Sequence, residues 1–283
     1  MIKEVCIQEN FSLDPFTPAI HLIYAPSGLD LPTDADLTAN LVIGGAVENA
    51  GQVEIKRSFD SPNQFLGEVI FGQHKIQLAG LSNPLPPEMM QQTVNVSPWQ
   101  PQIRAAMRQH RSHLSVVYAG DHPDPAEKMI ALYQMAFALE NENLLGIVNE
   151  KAWTAHPPAD FLSPDRISSY RDELPFILWM GYVKFFLDRS QYWLVTKGHH
   201  IFDVPDLASL VTNPADEEDT INRFINIFYY LYENDVDVTA GDTLELTGSP
   251  GQLQFAEMEE ELAWLIGPSG MLAVTPWDNP DGE

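Results

Sequence analysis

A chain of 283 residues, 45% of them hydrophobic, is long enough to build one large domain or two small ones around a substantial core. Its 40 acidic and 15 basic residues give a formal net charge of −25, a field that repels nucleic-acid phosphates and anionic lipid surfaces. The single cysteine, Cys6, excludes an intrachain disulfide and a thiol cluster for zinc or iron–sulfur chemistry, as expected of a reducing compartment.

The opening MIKEVCIQENFSLDPF contains no apolar run of signal-peptide length, so a cytoplasmic location is expected. Windows 176–187 and 221–231 are the most apolar, yet they are too short to cross a bilayer and carry Lys184, or Arg223 with Asn226. The charge is uneven. Residues 198–283 hold 18 acids and one base, Arg223, whereas the first 197 residues hold 22 and 14. Such an acidic third favours basic partners, cations and solubility.

In chain order, AIHLIYA reads as a strand, followed by a Pro-Ser-Gly turn and a helix that Thr33 or Asp34 caps. QVEIKRSF and FLGEVIFGQHKIQLAGL are β-rich, and the second is a hairpin turning at Gly72-Gln73 with a positive φ at its first turn residue. NPLPPEMMQQTVN is a proline-rich connection with a short helix. SPWQPQIRAAMRQHR is an amphipathic helix opened by Ser97-Pro98, with Trp99, Ile103, Met107 and His110 near one face. HLSVVYAG, a helix opened by Asp124-Pro125, and LLGIVNEKAW then form a β-α-β unit.

FLSPDRISSYRDEL reads as a polar helix, and PFILWMGYVKFFLD and QYWLVTKG as two long strands joined at Arg189-Ser190. Residues 204–210 suggest one helical turn. PADEEDTINRFINIFYYLYEN follows as the clearest helix, with Ile221, Phe224, Ile225, Phe228 and Leu231 at helical spacing and acids 216–219 in its first turn. VDVTAGDTLELTG and GQLQFAEME close the sheet. The expected fold is α+β, of ferredoxin-like strand-helix modules with antiparallel or mixed sheets. A single domain at 19–266, divisible into modules near 19–150 and 170–266, lies between an extension at 1–18 and a flexible acidic tail at 267–283.

The segments HKIQLAGLSNPLPPEMM, SPWQPQIRAAMRQHRSHLSVVYAG, WTAHPPADFL and VTKGHHIFDVPDL, with FYYLYENDVDVTAGDTLELTG, resemble the bacterial family catalogued as domain of unknown function 4261. The likeness spans about residues 19–248, and its motifs are diffuse apolar strands with a few glycines and prolines. It implies a bacterial cytosolic protein and brings no catalytic residues with it.

The chemistry-bearing candidates are few. The stretch GHHIFDVPDL places His199 and His200 beside Asp203 and Asp206, residue types that suit zinc or manganese, although neighbours on an extended segment point apart. A strand end with polar punctuation is the simpler reading of it. His110 to His113 and the DHPDP turn (121–125) bracket one strand roughly 20 Å apart, so they are not expected to form one site. Clustered acids at 216–219 and 257–261 lack calcium-loop spacing, and no Gly-x-Ser-x-Gly elbow, Gly-x-Gly-x-x-Gly or phosphate-binding Gly-Lys-Ser/Thr loop occurs. Tyr229, Tyr230 and Tyr232 put an aromatic off the core face of their helix, and Tyr229 is taken as the interface anchor. The expectation is a non-catalytic acidic binding or regulatory protein, of immunity type, with a basic protein partner and no cofactor; a homodimer is the other assembly considered. The alternative is a metal-dependent enzyme or small-ligand binder using His199, His200, Asp203 and Asp206.

Overall fold

The computed structural model describes residues 14–25, 29–61, 63–245 and 252–276. Cys6, the Pro26-Ser27-Gly28 turn and the last residues of the acidic tail lie outside them. The first half runs β1 (Ala19–Tyr24), α1 (Asp34–Ile43), β2 (Val53–Ser61), β3 (Gln64–Phe71), β4 (His74–Leu81), α2 (Pro87–Gln92), α3 (Pro101–Arg108), β5 (Ser112–Tyr118), α4 (Pro125–Ala138), β6 (Leu144–Asn149) and β7 (Thr154–His156). The second runs α5 (Pro164–Ser169), α6 (Phe176–Trp179), β8 (Gly181–Phe186), β9 (Tyr192–Lys197), β10 (Asp206–Val211), α7 (Glu217–Asn234), β11 (Thr243–Glu245), β12 (Gln252–Glu257) and β13 (Met271–Pro276).

The fold is α+β with two sheets. The first has the order β2-β3-β4-β5-β1-β6-β7 and is antiparallel throughout. Strand β1 sits between β5 and β6, which run parallel to each other and are joined through α4, a split β-α-β arrangement. Alternation along β1 separates two packed layers: Ile20, Leu22 and Tyr24 join the main core under α1 and α4, whereas Ile23 packs with Met90, Val94 and Met107 on the α2–α3 side. The second sheet has the order β11-β12-β13-β10-β9-β8, with β10 and β13 its parallel pair. Helix α7 covers one face through Phe224, Ile227, Phe228 and Leu231, and Leu262 and Leu265 cover the other. One apolar cluster runs through both sheets, so the modules near 19–150 and 170–266 share a core.

Several local readings hold, each for the reason that suggested it. Thr33 caps α1 by accepting the Asp36 N–H at 3.2 Å, and Asp124 caps α4 by accepting the Ala126 N–H at 2.8 Å. Gly72 takes φ 55° in the β3–β4 turn.

Others are corrected. Helix α3 starts at Pro101 instead of Pro98. A start at Pro98 would put Pro101 at the fourth helical position, the first whose N–H must bond within the helix. The stretch read as one long strand from Pro175 begins as the single turn α6, because Phe176 and Trp179 pack edge to face at 5.5 Å within the core. The helical turn expected at 204–210 lies instead at His199–Phe202, between residues of positive φ, Gly198 (102°) and Asp203 (57°), while Asp206–Val211 is strand β10. The expected tail contains β13, which is inserted between β10 and β12 with Leu272 and Val274 toward one core layer and Met271 and Ala273 toward the other. Residues 14–18 of the expected extension are also tied down, since Lys151 Nζ donates to the carbonyls of Asp14 (2.8 Å) and Pro15 (2.6 Å).

The two sheets meet closely at one place. A Cβ built on Gly198 would lie 2.6 Å from the Trp179 carbonyl oxygen and 2.9 Å from Ala152 Cβ, at a φ that side chains rarely adopt. Gly198→Ala is expected to cost about 2–5 kcal/mol, the sum of backbone strain and overpacking. Gly72→Ala, whose Cβ would meet nothing within 4 Å, isolates the strain alone. Equal losses for the two variants in urea unfolding would show that the close approach at Gly198 carries no weight.

Candidate functional site

The paired histidines belong to the buried turn His199–Phe202 that joins β9 to β10. His199 Nδ1 lies 3.0 Å from the Pro205 carbonyl and 3.5 Å from Thr196 Oγ1, and its ring packs against Phe228 with centroids 4.9 Å apart. The His200 ring meets Phe16 at 6.3 Å, under the chain that Lys151 holds. Burial pushes both imidazoles down to about 4, so both are neutral at physiological pH. Asp203 is exposed in a left-handed conformation, and Asp206 is buried at the start of β10. The four residues therefore do not converge. Among the described residues, no three His, Cys, Asp or Glu side chains are grouped to hold a metal ion.

The structure couples Asp206 to Lys197, which is not among the site residues expected from the sequence. The Lys197 Nζ lies 3.7 Å from Asp206 Oδ2, donates to the Leu265 carbonyl and stands 5.2 Å from the centre of the Trp153 ring. Asp206 Oδ1 accepts the His199 N–H at 3.3 Å, and a Cβ on Gly267 would come within 2.8 Å of Oδ2. Lys197 is 5% exposed and Asp206 1%. Burial raises the Asp206 carboxyl to about 7 and lowers the Lys197 ammonium, with each partner opposing the other's shift. This buried pair ties β9, β10 and the 260–265 turn together.

Tyr229 is half-buried, with its ring packed on Phe176 at 4.9 Å, and Tyr232 donates to Asp124 Oδ1 at 2.7 Å. The outward tyrosine is Tyr230, 40% exposed. It stands on the rim of a cleft of about 440 Å³ at the C-terminal end of α7. Leu231, Leu244 and Phe255 form its buried floor, and Val236, Asp237 and Asp242 share the exposed rim. The local sequence explains the shape. Asp235 ends α7 in a left-handed conformation (φ 51°), and Gly241 (φ 100°) turns the chain toward β11. Asp242 Oδ2 accepts from Thr239 N–H and Oγ1–H at 2.8 and 3.0 Å, which fixes the loop. Glu233, Asp235 and Glu245 are exposed on the same segments. An aromatic edge, an apolar floor and uncompensated carboxylates can receive a cationic side chain with an aliphatic stem. Sequence reasoning found the acidity and the tyrosine cluster but not this cleft, because β11 and β12 are brought to α7 only by the sheet.

Comparison with protein-family models, with curated proteins and with solved structures finds no match to this chain. No helix among the described residues is long and apolar enough to cross a membrane.

Removing one partner of the buried pair gives a pH-dependent loss. The folded-state pKa of Asp206 lies above its unfolded value, so its contribution to stability is complete at low pH and is lost as pH rises through about 7. Without Lys197 this rise is larger. Lys197→Met is expected to lose about 3–5 kcal/mol near pH 8, where it leaves a buried carboxylate unpaired, and clearly less near pH 5, where Asp206 is protonated. Urea denaturation of both proteins at the two pH values measures this, and a pH-independent difference would rule out the pair as its cause.

Proposed function

We propose that this is a non-catalytic acidic binding protein of the bacterial cytosol, acting in an immunity or other regulatory role on a basic protein partner. The observation that carries the reading is the cleft at the end of α7, where Tyr230, Val236, Asp237 and Asp242 surround an apolar floor. It lies in the third of the chain where 18 acids face one base. Long-range attraction speeds the encounter with a basic surface, and the aromatic rim gives a Lys or Arg side chain somewhere to seat. The same field disfavours nucleic acid. The resemblance to the domain of unknown function 4261 family supports the bacterial cytosolic setting, and we read strands β6-β1-β5-β4 with α1 and α4 as an enlarged ferredoxin-like unit.

The test uses Lys/Arg-rich peptides and isothermal titration calorimetry. Binding is expected to weaken steeply with added salt, and Tyr230→Ala and Asp237→Lys are each expected to weaken it by about tenfold or more. A Glu218→Lys variant controls for net charge, since Glu218 is exposed in the first turn of α7, remote from the cleft in sequence. If Glu218→Lys weakens binding as much as Asp237→Lys does, the attraction is diffuse and the cleft is not the site.

A further inference from the structure

A second cleft, of about 380 Å³, opens on the first sheet where the β3–β4 turn, the loop after β5, the first turn of α4 and the segment after α5 meet. The turn residues Gly72 and Gln73 bring His74 to its wall, opposite His122, Glu127 and Arg171. His74 is buried, and its Nδ1 lies 3.1 Å from the Tyr118 hydroxyl. A hydroxyl can donate to that nitrogen, and the Glu127 carboxylate facing the ring's other nitrogen favours a proton there. The neutral His74 ring therefore carries its proton on Nε2, which lies 3.8 Å from Glu127 Oε2.

His122 is set the same way by a different partner: its Nδ1 accepts the Asp124 N–H at 3.2 Å, leaving Nε2 as the protonated nitrogen. The two rings are 5.6 Å apart. Arg171 grips Glu127 through Nε (2.8 Å to Oε1) and Nη2 (3.0 Å to Oε2), a fork that neutralises the carboxylate and leaves Nη1 uncommitted among the described residues. Of the nearby acids, Asp124 is occupied by the Tyr232 hydroxyl and the Ala126 N–H, and Asp121 is exposed. The remaining polar groups of the cleft are thus mostly donors: two imidazole N–H groups, the guanidinium Nη1 and the Gln73 amide.

A cleft of this size with an excess of fixed donors is complementary to a ligand that supplies acceptor oxygens. We propose that it binds a small oxyanion, a carboxylate or phosphate group, through the Nε2–H groups of His74 and His122 and Nη1 of Arg171.

The experiment follows the histidine ring signals of the full chain by NMR during titration with inorganic phosphate and, separately, with acetate. Saturable shifts of the His74 and His122 signals are expected, with a dissociation constant in the millimolar range or tighter. A response to phosphate alone identifies a phosphate site, and a response to acetate alone identifies a carboxylate site. His122→Ala and Arg171→Gln are each expected to weaken binding about tenfold or more, whereas Arg189→Gln, at the β8–β9 turn, leaves it unchanged. His122 lies outside helix and strand, so its variant remains decisive if loss of the Arg171–Glu127 pair unfolds the other. The absence of saturation with both anions, unaltered affinity in His122→Ala, or shifts produced by zinc and by neither anion would each overturn the proposal.

Discussion

Helix α4 is apolar on almost every side, and the rest of the structure depends on enclosing it. Met129, Ile130, Leu132 and Met135 are at most 1% exposed, and each such side chain contributes about 1.5–3 kcal/mol when fully removed from water. A single sheet can cover only one face of a helix. The first sheet takes one side of α4, and the other is met by elements of the second half: Tyr133 donates to the Leu178 carbonyl at 3.2 Å, and Tyr232 reaches the N-cap Asp124. This shared burial explains why one apolar cluster runs through both sheets.

The polar interior follows from the same enclosure. Where β9 passes into β10, the chain buries Lys197, His199, His200 and Asp206; three of them are held by nearby backbone groups, while His200 Nδ1 and Asp206 Oδ2 have no hydrogen-bond partner among the described residues. His199 works through the Pro205 carbonyl, Asp206 through the His199 N–H, and Lys197 through the Leu265 carbonyl. Such groups are costly to leave unpaired and contribute little net stability when paired. Their effect is directional: they fix the register of β10 beside β9 and hold the 260–265 turn against the outer face.

The clefts differ from this interior in a way that matters for function. The buried pair presents no accessible group. The cleft on α7 offers carboxylates and an aromatic edge, and the cleft at His74 offers oriented N–H donors around a neutralised carboxylate. Opposite complements on one chain are what the two proposed ligands, a basic macromolecule at the first and a small anion at the second, would require.

What the sequence by itself determined was local: the caps at Thr33 and Asp124, the Gly72-Gln73 turn, the β-α-β unit around α4, the amphipathic α7 and the acidic C-terminal third. These depend on side-chain period, backbone preference and charge, all of which act over a few residues. The GHHIFDVPDL stretch shows where that reach ends. Its histidines and aspartates suggested a site in one dimension, yet their burial under residues 14–18, the Trp153 ring and Gly267 comes from segments distant in sequence. Strand β13 replaces the expected flexible tail for the same reason. Its parallel partner β10 lies some sixty residues earlier, and only tertiary burial turns a short Pro- and Gly-flanked segment into a central strand. The donors at His74, His122 and Arg171 likewise come from a hairpin turn, a loop and the segment after a helix. Only the packing of α4 against both sheets decided that they meet, because no local preference encodes a contact between segments so far apart in the chain.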